Sequence, residues 1–381
     1  MLAQLAGAAL GTYVPGIGAP KSPPARGRRP GTAYAAGVLF VSASPELDHH
    51  LTGHGHPERP ERVVAALEGV GAAGLGDAVV RLPRREATRA ELLRVHDGGY
   101  LERLEELFAA GGGRLDPDTV ASPGSWPTAL TAAGGALAAV DALAEAGEGV
   151  ALVAHRPPGH HATADQAMGF CLLNNVAVAA AALVERGERP LIVDWDVHHG
   201  NGTQAIFWDQ PQVLYMSTHQ WPLYPGTGAA QAVGGPAARG LTVNVPLPPG
   251  ATGDVLRYCF DTVLAPAVEL FRPTWALVSA GFDAHRADPL ADLGLSAGDF
   301  ADLARFVAGL VPAGRLVLVL EGGYDLPAVT ASVGSVVSAL LGGGFRPEKP
   351  TSGGPGRDMV DRARQAHERA LEAAAGPPTG W

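Results

Sequence analysis

At 381 residues the chain is long enough for one large α/β domain or two ordinary ones, with a sizeable buried core. Its 46% hydrophobic and 17% charged composition excludes an intrinsically disordered protein, and a formal net charge of -10 argues against nucleic-acid binding through a broad basic surface and mildly favours a cationic ligand. Two cysteines, Cys171 and Cys259, could form one bridge at most, so no disulfide framework supports the fold and a reducing compartment fits.

In chain order, residues 1–36 are Ala/Gly/Pro-rich, with Lys21, Arg26, Arg28 and Arg29 among prolines, and read as a mobile arm. Met1 to Gly18 lacks the basic start of a signal peptide. The longest apolar runs are interrupted by Gly, Glu or Arg within about 15 residues, shorter than a bilayer requires, so a cytoplasmic protein without membrane contact is expected. From Gly37 onward, β-branched runs alternate with Ala/Leu-rich stretches. Strands are expected at Val38 to Val41, Val150 to Val153, Leu191 to Asp194, Val213 to Ser217, Leu241 to Val245, Ala276 to Ser279 and Leu316 to Leu320. Helices are expected at Glu61 to Ala73, Tyr100 to Ala109, Trp126 to Ala146, Asn175 to Arg186, Gly253 to Phe271, Ala297 to Val311 and Leu326 to Leu341. That alternation implies a parallel sheet covered by helices on both faces, in one domain over 37–343. The remaining segment, 344–381, opens with Pro/Gly and continues as a charged helix, Asp358 to Ala375, expected to pack loosely on the surface.

In such sheets ligands bind beyond the carboxyl ends of the strands, and four strand ends here carry polar groups. After Leu191 to Asp194 comes Asp194-Trp195-Asp196-Val197-His198-His199-Gly200-Asn201-Gly202, where alternation places Asp194, Asp196 and His198 on one face. Acid, acid and imidazole suit zinc or a neighbouring divalent metal; the alternative is a polar strand end that merely meets solvent. After Val153 come the adjacent His160 and His161, suited to proton exchange beside a metal, or else solvated loop histidines. After Ser279 stands Asp283, which could complete a metal triad with Asp196 and His198 or simply cap a turn. After Leu320 comes Glu321-Gly322-Gly323-Tyr324, where paired glycines could aim Tyr324 at a developing oxyanion; a turn with a packed Tyr would look the same.

Taken in order, Arg156-Pro157-Pro158-Gly159-His160-His161-Ala162, Gly169-Phe170-Cys171, the Asp194 to Thr203 run, Tyr224-Pro225-Gly226-Thr227-Gly228, Gly281-Phe282-Asp283-Ala284 and Glu321-Gly322-Gly323-Tyr324 resemble the zinc-dependent histone deacetylase superfamily. The resemblance covers roughly residues 38 to 343, and Asn201 with Glu321 is similar to its class II branch and bacterial amidohydrolases. It implies an arginase-like α/β fold, a three-layer α-β-α arrangement around a mainly parallel eight-stranded sheet. It also implies one Zn2+ per chain held by Asp196, His198 and Asp283, a histidine pair His160 and His161, and the transition-state tyrosine Tyr324. Asp194 is then reassigned from ligand to orienter of His160, and Asn201 stands where some branches have an aspartate beside the second histidine.

By the same resemblance Gly169, Phe170 and Tyr224 line a narrow channel for acyl-lysine. Asp118 matches a rim aspartate, with Asp116 competing for that position, and Arg62 lines an acetate exit. Asp194, Asp196, His198, Ser217 and Thr218 build a K+ or Na+ site, partly from backbone oxygens. The implied partner is an acylated lysine peptide or a small acylated amine, with homo-oligomers left open. Leu290 sits where a polyamine-selective branch has an acidic gatekeeper, which favours an acyl-lysine-type amide over acetylpolyamines. A non-catalytic acyl-lysine reader would be expected to lack a ligand or the tyrosine, and a two-metal ureohydrolase would be expected to have more aspartate pairs.

Overall fold

The computed structural model describes residues 37–375, so the arm expected over 1–36 lies outside the described residues. Its strands are β1 (Leu39–Ser42), β2 (Val79–Arg81), β3 (Gly113–Arg114), β4 (Val120–Ala121), β5 (Val150–Val153), β6 (Pro190–Asp194), β7 (Leu214–Gln220), β8 (Thr242–Leu247), β9 (Trp275–Ala280) and β10 (Leu316–Leu320). A small antiparallel hairpin joins β3 and β4; the other eight form one all-parallel sheet in the order β2-β1-β5-β10-β9-β6-β7-β8.

Strands β5, β6, β9 and β10 are buried at every residue, which is why their sequences are continuously apolar rather than alternating. Helices cover both faces. On one lie α1 (Glu61–Ala72), α7 (Gly253–Cys259), α8 (Ala265–Phe271), α9 (Ala297–Ala308) and α10 (Leu326–Leu340); on the other lie α3 (Gly98–Ala109), α4 (Ser125–Ala146) and α5 (Asn175–Glu185). Two short helices, α2 (Arg89–Leu92) and α6 (Asn201–Ile206), sit in the connections, and α11 (Arg357–Ala375) ends the described chain.

Three expectations need correction. The stretch Gly253 to Phe271 is not one regular helix, because a π-helical turn over Phe260–Leu264 separates α7 from α8; Pro266, lacking an N–H, cannot bond back to the Thr262 carbonyl. The apolar run in α4 is long enough after all to cross a membrane by length and composition, yet 61% of its most apolar window is buried inside the fold. Helix α11 is not loosely attached. It seats Val360, Ala363, Ala366 and Ala370 in the core, His367 Nε2 lies 2.9 Å from the Gly240 carbonyl oxygen, and Tyr258 donates to Asp361 at 2.9 Å.

Register explains where the site forms. Asp194 pairs with Ser217 on one side and Ser279 on the other, and Leu320 pairs with Ala280. The carboxyl ends of β6, β9 and β10 are therefore level, β7 runs on past them to Gln220, β5 lies beside β10 through Val153 and Val319, and the segments leaving these strands meet above one sheet edge.

Candidate active site

Asp196, His198 and Asp283 converge there, with one ligand atom from each within 4.8 Å of the others. His198 presents Nδ1 at 3.2 Å from both Asp196 Oδ1 and Asp283 Oδ2. The carboxylates are fixed from behind, Asp196 by the amides of His198 (2.9 Å) and Gly322 (2.7 Å) and Asp283 by the amide of Val197 (2.8 Å). Two glycines make the room. A Cβ on Gly281 would lie 2.1 Å from Asp196 Oδ2, and one on Gly322 1.9 Å from Asp283 Oδ2. Burial and the adjacent Asp196 charge push Asp283 up to about 7. His198, which burial alone would lower, is pulled up to about 10 by its two carboxylates. Buried negative charge of this density calls for a cation. Two carboxylate oxygens and an imidazole nitrogen are a donor set that suits a divalent metal such as zinc.

Asp194, which alternation placed with this set, turns to His160 instead, with Oδ2 at 3.0 Å from Nδ1 and also accepting from the Tyr215 hydroxyl at 3.2 Å. His161 Nδ1 lies 2.8 Å from Asn201 Oδ1, and the Asn201 amide group faces the His161 carbonyl and Met168 Sδ. An amide oxygen only accepts, so Nδ1 carries the proton and Nε2 keeps its lone pair. Burial and the neighbouring His160 and His198 charges hold His161 well below the usual histidine range, whereas His160, despite burial, is held well above it by Asp196 and Asp194. Glu321 lies beneath, its carboxylate accepting from the amides of Gly159 (2.6 Å) and His160 (3.1 Å) and from Ser279 Oγ (3.1 Å). Burial pushes it up to about 7.

Tyr324 is 8% exposed, and burial raises its phenol well above the usual range, which keeps it a hydrogen-bond donor. The Arg62 guanidinium lies 4.9 Å from the centre of its ring. Arg62 bonds the carbonyls of Gly323 and Glu321 and the buried Glu58 carboxylate, leaving two of its five N–H groups for any further ligand.

Aromatic rings stand beside the histidines and Tyr324. Phe170 meets the Tyr324 ring edge-on at 6.0 Å, and Tyr224 meets His161 at 5.1 Å and His198 at 6.3 Å. Gly169 (φ +56) and Phe170 (φ +68) form the centre of a tight turn closed by reciprocal Met168 and Cys171 backbone bonds, a geometry that needs positive φ at both positions. A Cβ on Gly169 would strike the His161 ring at 2.4 Å. Asp116 Oδ1 accepts from the amides of Asp118 and Thr119, so Asp116 makes the turn and Asp118 is the exposed residue of the pair, while Thr119 Oγ accepts from the Phe170 amide at 3.0 Å. Leu290 is half-buried, its amide bound to Asp288.

Of the proposed K+ or Na+ site, the structure pairs Asp194 with Ser217 by register, but Ser217 Oγ is 2.9 Å from His219 Nδ1. The buried Thr218 hydroxyl has no hydrogen-bond partner and by alternation faces away from Asp194, so Thr218 could offer that site only its carbonyl. Sequence reasoning missed Tyr215, Glu58 and Asp288. For Asp288 the signal was present, since an Asp before Pro often bonds its own backbone in a turn.

The histone deacetylase domain model matches residues 56–340. A probable deacetylase of Archaeoglobus fulgidus is 39% identical over 313 residues, covering 81% of this chain and 86% of that one. A histone deacetylase-like amidohydrolase of Pseudomonas aeruginosa is 41% identical over 297 residues, covering 76% and 77%. Among solved structures, the HD domain of HDA15 superposes with a TM-score of 0.80 at 33% identity, covering 90% of this chain and 97% of that one.

Proposed function

The chain belongs to the histone deacetylase family of deacetylating amidohydrolases, and we propose that it is a zinc-dependent enzyme that hydrolyses the side-chain amide of an acyl-lysine or similar substrate. The observation that carries this reading is the meeting of the Asp196, His198 and Asp283 ligand atoms beside the histidine pair, with Tyr324 near enough to feel the Asp283 and Asp196 charges. These three residues would hold the metal. A bound zinc ion supplies positive charge that polarises the amide carbonyl and acidifies a water molecule.

The remaining chemistry belongs to the chain. His161 Nε2, bare because Asn201 fixes the proton on Nδ1, takes the proton of the attacking water. His160, bonded to Asp194 and drawn toward its charged form by Asp196 and Asp194 despite burial, lies 4.0 Å from the His161 ring between centroids, and positive charge there opposes protonation of His161. The Tyr324 hydroxyl donates to the developing oxyanion. The proton then passes to the leaving nitrogen, and acetate and a free amine depart. Phe170 and Tyr224 sandwich the methylene chain, which excludes water from the charged floor.

Leu290 at the mouth favours acyl-lysine over acetylpolyamines, because a leucine cannot attract a second ammonium. The exposed Asp118 carboxylate favours the rival reading. Zinc-loaded protein assayed on acetyl-lysine peptides, longer acyl-lysines, acetylputrescine and acetylspermidine decides between them: peptide turnover is expected to lead, and a strong preference for the polyamines overturns the substrate assignment. Metal analysis tests the mechanism, since two manganese ions per chain would point to a binuclear ureohydrolase.

A further inference from the structure

Asp288 is 6% exposed and stands in the segment that leaves β9 through Asp283. Its two oxygens serve two different turns. Oδ1 accepts from the Leu290 amide at 3.0 Å, closing the turn at Leu290, while Oδ2 accepts from the Tyr324 amide at 2.7 Å and the Asp325 amide at 3.4 Å. Asp325 in turn caps α10 through the Ala328 amide at 2.9 Å. On its other side the Tyr324 turn is held by Arg62 at the Glu321 and Gly323 carbonyls and by Asp196 at the Gly322 amide. Asp288 is thus the side chain that fixes the backbone of Tyr324 itself.

Closing a turn does not require a charge, and a further buried carboxylate near Asp283 is electrostatically costly. Asparagine or serine would close the Leu290 turn without that cost. What neither offers is two acceptor oxygens facing N–H donors in opposite directions: an asparagine in this place would turn an NH2 group toward one of the amides. The carboxylate is needed because it bridges.

We infer that Asp288 is a positioning residue for Tyr324, locking its hydroxyl over the metal ligands and tying it to the rim residue Leu290 through one side chain. The inference rests on Tyr324 being the oxyanion donor. A displacement of about 1 Å in a catalytic group can lower turnover roughly 100-fold, so the backbone bond to Tyr324 matters to kcat more than to substrate binding.

The test is a double-mutant cycle of Asp288→Asn and Tyr324→Phe, read as kcat, KM, bound zinc and melting temperature on an acetyl-lysine peptide. Asp288→Asn is expected to lower kcat about 10- to 100-fold, with KM within about 3-fold and zinc content unchanged. In the Tyr324→Phe background the same change is expected to add almost nothing, because its route of action is gone. A kcat within about 2-fold of the parent, or an undiminished loss in the Tyr324→Phe background, overturns the inference while leaving Tyr324 in place. Unchanged turnover in Tyr324→Phe alone overturns the reading of Tyr324 and this inference with it. If Asp288→Asn does not fold, Asp288→Ser, which admits water as an acceptor, takes its place in the cycle under the same criteria.

Discussion

Asp283 and Tyr324 in the buried floor of the site carry the same chemical groups as Asp118 and Tyr224 at its more exposed mouth, in opposite surroundings. Asp283 is fully buried and Tyr324 is 8% exposed, whereas Asp118 is exposed and Tyr224 is 38% exposed. At the floor each carboxylate is held by backbone amides, glycines clear the space beside the metal ligands, and burial raises the pKa of Asp283 and of Tyr324. At the mouth Tyr224 meets the His161 ring by its edge, and Asp118 is exposed beside Asp116. The difference separates chemistry from selection. Changes at the floor should lower kcat or metal occupancy, and changes at the mouth should alter KM and substrate preference.

The largest effect is expected for Asp283→Asn, which keeps the shape but removes half the carboxylate charge of the metal set. Zinc affinity is expected to fall by more than the roughly 10- to 100-fold typical of losing an outer partner of a ligand, with turnover falling alongside. Zinc titration of the metal-free protein followed by its melting temperature checks it, because a ligand that binds only the folded state raises that temperature. An undiminished zinc-dependent rise would remove Asp283 from the ligand set. Next comes Tyr324→Phe, expected to lower kcat by about 100- to 1000-fold, the range for a lost oxyanion donor, while KM and zinc content hold. A change in KM with kcat preserved would move Tyr324 from the floor group to the mouth group.

Much of the floor was legible in the sequence because strand ends in a parallel sheet are placed by topology. Once the apolar runs are read as strands, Asp196, His198, Asp283, His160 and Tyr324 must rise from neighbouring carboxyl ends. Face sharing along one extended segment was less reliable. It grouped Asp194 with Asp196 and His198, but the chain leaves β6 at Asp194, and beyond that residue alternation no longer applies. Strand β2 was missed because its three residues, Val79–Arg81, one half-buried and two exposed, carry no period. The docking of α11 was written in the spacing of Val360, Ala363, Ala366, His367 and Ala370, one apolar stripe under a charged surface. Asp288 was hidden for another reason: a residue that acts by bridging two turns has a local signature for only one of them.

At the mouth, Tyr224→Ala is expected to raise KM for an acetyl-lysine peptide about 10-fold, since it removes the ring that meets His161 and His198 and exposes the methylene chain of the substrate to water. Steady-state kinetics with kcat and KM fitted separately checks this. A fall in kcat as large as that of Tyr324→Phe would place Tyr224 in the catalytic group.

The smallest effect is expected for Leu290→Glu, and it is the one that bears on substrate. Leu290 is half-buried at the mouth with its amide bound to Asp288, so the backbone should stay in place and the new carboxylate should face the opening, on the side away from the floor. An exposed ion pair contributes up to about 1 kcal/mol, which converts to a KM for acetylspermidine lowered by about 5-fold, with the acetyl-lysine peptide changed less. The gain should fade in high salt, because screening acts on exposed charges and leaves apolar packing of the methylene chain untouched. A gain that persists in high salt would mean that the substitution acts by reshaping the wall. Equal KM values in Leu290→Glu and parent would take Leu290 out of substrate selection and leave Asp118 as the acidic group at the mouth.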